Sequence, residues 1–338
     1  MLALRPVQLS DLPQLQQLAR DSLVGVTSLP DDTERLRERV LDSCASLATD
    51  VQSPGGENYF FVLQDLDSGR LVGCSEILAS TGCNEPFYSL RNRPFSSSSR
   101  ELNIQHGVPA LSLCQDLNGQ TLLRGFHIDA DRVRTPESEL LSRARLMFIA
   151  AHPQRFAESV ITEIVGYSSD DGQSPFWDAI GQHFFDLPYA EAERLCGLQS
   201  RTFLAELMPQ YPIYVPMLPP EAQACIGRVH PDGQEAFDIL EREGFETNNY
   251  VDLFDGGPTL HARVPCIRSI AQGRKALAWK SSQIDAWGRY LVSNDGLADF
   301  RAIVAELNVD ADGPVALTPA MLAALEVNEG ERVRVVAL

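Results

Sequence analysis

Five prolines crowd the segment PQYPIYVPMLPP, at Pro209, Pro212, Pro216, Pro219 and Pro220. Neither a regular helix nor a central strand tolerates them, because proline lacks the N–H that either ladder needs. The segment therefore separates a first half, residues 1–198, from a second half, residues 199–338 with a small β-rich tail. A chain of 338 residues with 44% hydrophobic and 22% charged content has enough apolar side chains to give both halves a core.

Before the break the apolar period changes repeatedly. LALRPV reads as a strand, followed by a helix opened by Ser10 and Asp11 with Leu12, Leu15 and Leu18 on its buried stripe. A second helix carries Leu36, Val40, Leu41, Cys44 and Leu47. Two β-rich runs, 59–63 and 71–78, flank DLDSGR, where Gly69 supplies a permissive turn residue. TLLRGFHI is a further strand, leading into a helix with Leu140, Leu141, Ala144, Met147 and Phe148 in its core. VITEIVGY is another strand, and SPFWDAIGQHFF a helix capped by Ser174. After the prolines, QEAFDILEREGFETNNYV repeats a helix, glycine, aromatic, strand order; strands at 290–292 and 300–304, a short helix from Thr318 and a closing strand in ERVRVVAL complete an α+β reading.

No apolar run reaches 18 residues, and MLALRPVQLSDLP lacks a signal-peptide pattern, so a cytoplasmic protein without a membrane span is expected. Forty-six acids against 28 bases give a formal charge of −18, which disfavours nucleic acid and anionic lipid as partners. The same field suits a cationic small substrate, although acidity also serves solubility. Seven cysteines, an odd number without C-x-x-C spacing, read as reduced thiols, and no metal site is expected of them.

The order strand, two helices, hairpin, strand, helix, strand, helix matches an acyl-CoA N-acyltransferase domain. SLPDDTERL, SPFWDAIGQHFF, FLAELMPQYPIYVP, IGRVHPDG, EREGFETNNYVDLFDGGPT and IRSIA resemble the arginine N-succinyltransferase family from Arg5 to about Ala271. Within it, EPFYSLRN, LSLCQDLNGQTLL and TEIVGYS are similar to the alpha chains of its two-subunit, arginine/ornithine-acting members. The resemblance implies a GNAT-like fold of two similar halves with exchanged C-terminal strands. It also implies succinyl transfer from succinyl-CoA, a co-substrate and not a permanently bound cofactor, to the α-amino group of L-arginine and L-ornithine in arginine catabolism. A beta subunit is the implied partner. The alternative is a binding or scaffold subunit that turns over nothing without that beta chain.

Transfer of an acyl group to an amine needs a neutral nitrogen, donors aimed at the thioester oxygen and a proton source for the departing thiolate. The family's proton donor falls on His230 in IGRVHPDG. Read from the residues alone, His230 sits where a helical pattern ends before Pro231 and reads first as a capping histidine that bonds a terminal carbonyl; only the family motif makes it the proton donor. Phe126 falls where the family contacts succinyl-CoA, and Arg132 and Arg134 are placed to hold its phosphates, or are solvated charges at the strand end. Pro136 and Ser138 stand where active relatives have glycines, and Glu137 and Glu139 would repel phosphate, so the phosphate turn reads as altered. Glu85, Glu163, Asp252 and Asp255 are the candidate partners for a substrate guanidinium, with turn or capping roles open to each. Asp255-Gly256-Gly257-Pro258 reads as a turn.

Overall fold

β1 (Leu2–Pro6) is buried on both faces, and its Arg5 turns back to grip Asp11 through two hydrogen bonds of 2.7 and 2.8 Å. That ion pair fixes the entry to α1 (Leu12–Arg20). The computed structural model describes residues 1–20, 29–169, 171–198, 206–284, 286–310 and 313–338. The expected boundary after residue 198, and the start of FLAELMPQYPIYVP, lie outside the described residues.

α2 (Thr33–Ala48) starts at Asp32, whose carboxylate accepts the Arg35 N–H. Its buried face runs through Leu36, Val40, Ser43 and Leu47, while Leu41 and Cys44 are exposed. Steps of four, three and four residues follow the 3.6-residue period, so Leu41 and Cys44 fall one position off the stripe. Ser43 and Ser46 face the sheet instead, their Oγ atoms accepting the Phe60 and Asn58 N–H groups at 2.9 and 3.0 Å.

β2 (Asn58–Asp65) and β3 (Leu71–Leu78) form the expected hairpin, with Gly69 at φ +75°. A second hairpin, β4 (Ser89–Ser99) and β5 (Ile104–Cys114), pairs over eleven positions. β6 (Thr121–Ile128), α3 (Pro136–Ala151) and β7 (Ser159–Glu163) follow. β7 is shorter than VITEIVGY, since beyond Glu163 the chain leaves the sheet and Gly166 makes only an isolated bridge to Val229. The helix expected over SPFWDAIGQHFF is two pieces, α4 (Pro175–Ala179) and α5 (Gln182–Phe185). They part at Gly181, where a Cβ would stand 2.3 Å from the Trp177 ring.

α6 (Tyr189–Leu198), β8 (Ile213–Tyr214), α7 (Pro220–Cys225), α8 (Gln234–Arg242), β9 (Glu246–Val251), β10 (Pro258–Arg263) and α9 (Arg268–Ala271) come next. The last stretch holds β11 (Arg274–Lys280), β12 (Gly288–Asn294), β13 (Ala302–Leu307), β14 (Val315–Leu317), α10 (Pro319–Leu325) and β15 (Arg332–Ala337). One mixed sheet of these strands runs β14-β11-β15-β12-β13-β1-β2-β3-β6-β7-β10-β9-β4-β5-β8. The fold is α+β.

Strands from beyond the proline-rich segment join earlier ones at two places: β10 and β9 complete the sheet beside β7, and β13 pairs with β1 at its other side. The largest core accordingly mixes Leu4, Phe61 and Phe148 with Leu240, Phe245, Leu260 and Phe300. A second core lies within the last stretch, around Ala276, Val292, Leu317, Leu325 and Val335, and takes in Ala3. A splayed parallel pair occurs once among the described residues, at β6 and β7; β11 and β14 are parallel but remain joined over three residues.

Candidate active site

β6 and β7 pair only at Thr121 with Val160 and Leu122 with Ile161, then separate. Separation opens the middle of the sheet, and a cleft of about 1240 Å³ fills the gap. Such a volume exceeds the roughly 300–1,000 Å³ of a common small-ligand pocket and suits two substrates laid end to end. β6 lines it from Leu122 to Ile128, with Ser80–Phe87 on one flank and Thr162–Val165 and Pro231–Ala236 on the other.

A bulge shapes the β6 wall. Cys74 faces His127 and Glu76 faces Arg124, so β6 accommodates an extra residue, and Gly125 takes φ +63°. A bulge frees backbone groups from the ladder next to a site. Arg124 is held on the same wall by Glu76, 2.8 Å away and fully buried, which also pairs with Arg39 at 3.5 Å. Phe126 lines the cleft, and Arg145 of α3 lies 5.7 Å from the centre of its ring.

The turn after β6 differs from its reading in the sequence. Its left-handed residue is Arg134, at φ +61°, while Ser138 is helical and wholly buried in α3. Pro136 occupies the first helical position, where a missing N–H costs nothing. Glu137 and Glu139 do not stand as bare charges: Glu139 meets Arg143 and Arg242 at 3.3 and 2.5 Å, and Glu137 meets Arg132 at 3.9 Å. Glu235 of α8 instead brings its carboxylate to this helix start, accepting the Arg134 N–H at 3.0 Å and the Ser138 hydroxyl at 2.5 Å. Arg134 lines the cleft; Arg132 is outside its lining and turned toward Asp131 and Glu137.

Carboxylates from the family strings line the cleft too. Glu85, Glu163, Asp252 and Asp255 all line the cleft, joined by Glu193 of α6, which carries no sequence motif. Two of them also build the turn: Asp255 accepts the Gly166 and Gly257 N–H groups, each at 2.7 Å, and Asp252 accepts the Phe254 N–H at 2.7 Å. Burial, reinforced by the neighbouring Asp252 charge, pushes the Asp255 carboxyl up to about 7. Burial, then the Glu193, Asp255 and Asp252 charges, drives the Tyr189 hydroxyl far above its ordinary range. Such a set of acids suits a cation.

His230 lies immediately behind the Pro231–Gly233 wall and is not itself among the lining residues. It starts a helical segment and does not end one: Nδ1 accepts the Asp232 N–H at 3.2 Å, and its own N–H is tied to the Val165 carbonyl at 2.9 Å. An Nδ1 that accepts leaves the proton of a neutral imidazole on Nε2. The other histidines are dispersed; His152, bonded to the Gly296 carbonyl at 2.9 Å, is lowered by burial.

Among the described residues no group of three His, Cys, Asp or Glu is arranged to hold a metal, and Cys44, Cys74, Cys83, Cys114, Cys225 and Cys266 are free. Among the same residues no helix is long and apolar enough to cross a membrane.

A mixed sheet that parts at one parallel pair, with acids and arginines lining the gap, leaves room for a thioester beside an amine. Family comparison supplies the class. Residues 2–269 match the arginine N-succinyltransferase beta subunit model, and residues 281–337 match that of its C-terminal domain. The chain belongs to the arginine N-succinyltransferase family. It is 58% identical, over the whole of both chains, to the arginine N-succinyltransferase subunit alpha of Pseudomonas aeruginosa. It is 39% identical to the arginine N-succinyltransferase of an Enterobacter species, covering all of this chain and 98% of that protein. A solved structure, arginine/ornithine succinyltransferase subunit AI from Pseudomonas aeruginosa, superposes with a TM-score of 0.94 at 54% identity, covering 100% of this chain and 98% of that one.

Proposed function

We propose that this chain transfers the succinyl group of succinyl-CoA to the α-amino group of L-arginine, and of L-ornithine, in arginine catabolism, as the alpha subunit of a two-chain cytoplasmic enzyme with a beta partner. The observation that carries the reading is full-length identity of 58% with a protein named as that subunit. The cleft supports it, since acids that could meet a guanidinium and Arg134, which could meet an anion, both line it. Halves 1–198 and 199–338 act on this reading as one catalytic body joined by shared strands. A scaffold without turnover is not favoured, because the likeness to a protein named as a succinyltransferase subunit runs the whole length of both chains.

In the proposed reaction the thioester lies along β6 beside Phe126, with the phosphates near Arg134 and Arg132. The neutral amine attacks the thioester carbon, forming the C–N bond and a tetrahedral oxyanion. Collapse breaks the C–S bond and expels the CoA thiolate. The surplus proton of the attacking nitrogen passes to that sulfur, with the His230 imidazole as the proposed relay, so the products leave as a thiol and an amide and the ring ends as it began. Glu85, Glu163, Glu193, Asp252 and Asp255 all line the cleft and are the acids a substrate guanidinium would meet there.

The test incubates the full chain with succinyl-CoA and arginine, with and without a beta subunit, and follows N-succinylarginine by mass spectrometry. Product in either mixture is expected; its absence from both overturns the reading.

A further inference from the structure

Five arginines are buried among the described residues: Arg5, Arg143, Arg145, Arg155 and Arg334. Three meet carboxylates, Arg5 with Asp11 at 2.7 Å, Arg143 with Glu243 at 2.8 Å and Arg334 with Asp295 at 3.5 Å. Arg155 is enclosed by the Ser46 and Thr49 carbonyls and the Tyr59 hydroxyl. Arg145 is different. Its two hydrogen bonds, of 3.0 and 3.1 Å, both go to Ser142 one turn back, and no carboxylate among the described residues pairs with it. It is also the one of the five that lines the cleft.

A guanidinium only 2% exposed and without an anion is unstable unless something brings the anion to it. Burial lowers its pKa to about 9, so the group still carries its charge at neutral pH. We propose that Arg145 receives the terminal carboxylate of the succinyl group and thereby selects a dicarboxylic acyl donor over a neutral one. The assignment rests on the succinyl-CoA reading above and deepens it.

Three anions enter such a cleft, and position separates them. CoA phosphates belong at the start of α3, and Arg145 stands nine residues further along that helix, about 14 Å at 1.5 Å per residue. The α-carboxylate of the amino acid arrives with its guanidinium among Glu163, Glu193, Asp252 and Asp255, where a second anion is repelled. The acyl tail remains. Arg145 touches the face of Phe126 next to the Gly125 bulge, and a guanidinium fork fits a carboxylate through two parallel hydrogen bonds.

Calorimetric titration of the unmodified full chain with succinyl-CoA and with butyryl-CoA, which replaces the terminal carboxylate with a methyl group, tests this. Succinyl-CoA is expected to bind about tenfold to a hundredfold more tightly, the range for a charge-assisted contact. Arg145→Gln is expected to abolish that preference while leaving butyryl-CoA affinity within about twofold, and Arg145→Lys to restore part of it. Equal binding of both thioesters by the unmodified chain, or an equal loss of both in Arg145→Gln, overturns the Arg145 assignment alone. If neither thioester binds, the acyl-CoA reading falls and takes the assignment with it. A Gln variant that keeps its donor preference but weakens arginine binding moves Arg145 to the amino acid and also overturns the proposal.

Discussion

Ser138 and Glu235 meet at 2.5 Å at the start of α3, where the helix presents its positive end. A carboxylate from α8 thus occupies this helix start, and the Arg134 N–H donates to the same oxygen. Glu235→Gln keeps an acceptor for both groups and removes the competing charge. Affinity for acyl-CoA is expected to rise by roughly threefold to fivefold, the scale of one charge at a helix end. Titration with CoA reads this directly, and weaker binding would show that Glu235 supports the nucleotide and does not compete with it.

His230 combines a cap and a proposed acid in one ring, and the two roles separate by substitution. His230→Ala is expected to lose roughly a hundredfold or more in kcat together with about 1 kcal/mol of stability from the lost cap. His230→Asn keeps a cap acceptor, so stability should return while kcat stays low. If kcat recovers with the cap, the ring is structural. Steady-state rates beside urea denaturation distinguish these outcomes.

Asp255 has a raised pKa in the fold, to about 7, so the folded chain holds a proton that the unfolded chain has already released. Stability contributed by this group is therefore fully present below the unfolded pKa, near 4, and is lost as pH rises toward 7. Asp255→Asn cannot titrate there, although it gives up one of two backbone contacts. The destabilisation caused by Asp255→Asn should accordingly be larger at pH 5 than at pH 8. Guanidinium denaturation at the two pH values checks the sign, and an equal gap would place the titration elsewhere.

Arg143 and Glu243 are each 1% exposed and lie 2.8 Å apart, fastening α3 to the end of α8. Arg143→Met strands a buried carboxylate and is expected to cost about 3–5 kcal/mol. Adding Glu243→Met should recover much of the loss in a denaturation experiment. A double variant no better than the single one would mean that the Ser269 and Ala337 contacts of Arg143 dominate.

Elements that alternate or carry a turn residue were legible in the chain alone: β6 has the bounds of TLLRGFHI, and Gly69 turns the first hairpin. The long β4–β5 hairpin was not, because its outer residues, from Phe95 through Ile104, are largely exposed and display no apolar period. Periodicity also concealed Arg143 and Arg145. They occupy positions that look like a solvated helix face, yet α8, α9 and the sheet cover α3 nearly all round. In the cleft, the acids within family strings were found, but Glu193 is brought there by a helix that no local pattern connects to β6. The geometry of the turn after β6 was misjudged, since the left-handed backbone falls on Arg134 and not on the positions read as lost glycines.

β1 lies between β2 and β13, with Ala3 opposite Ile303 and Leu4 opposite Ala302. During synthesis the ribosome therefore delivers β2 soon after this strand and β13 only much later. In the interval an apolar strand edge stays unguarded, open to the same edge on another nascent copy. Assembly of the interior must wait for β13 to arrive.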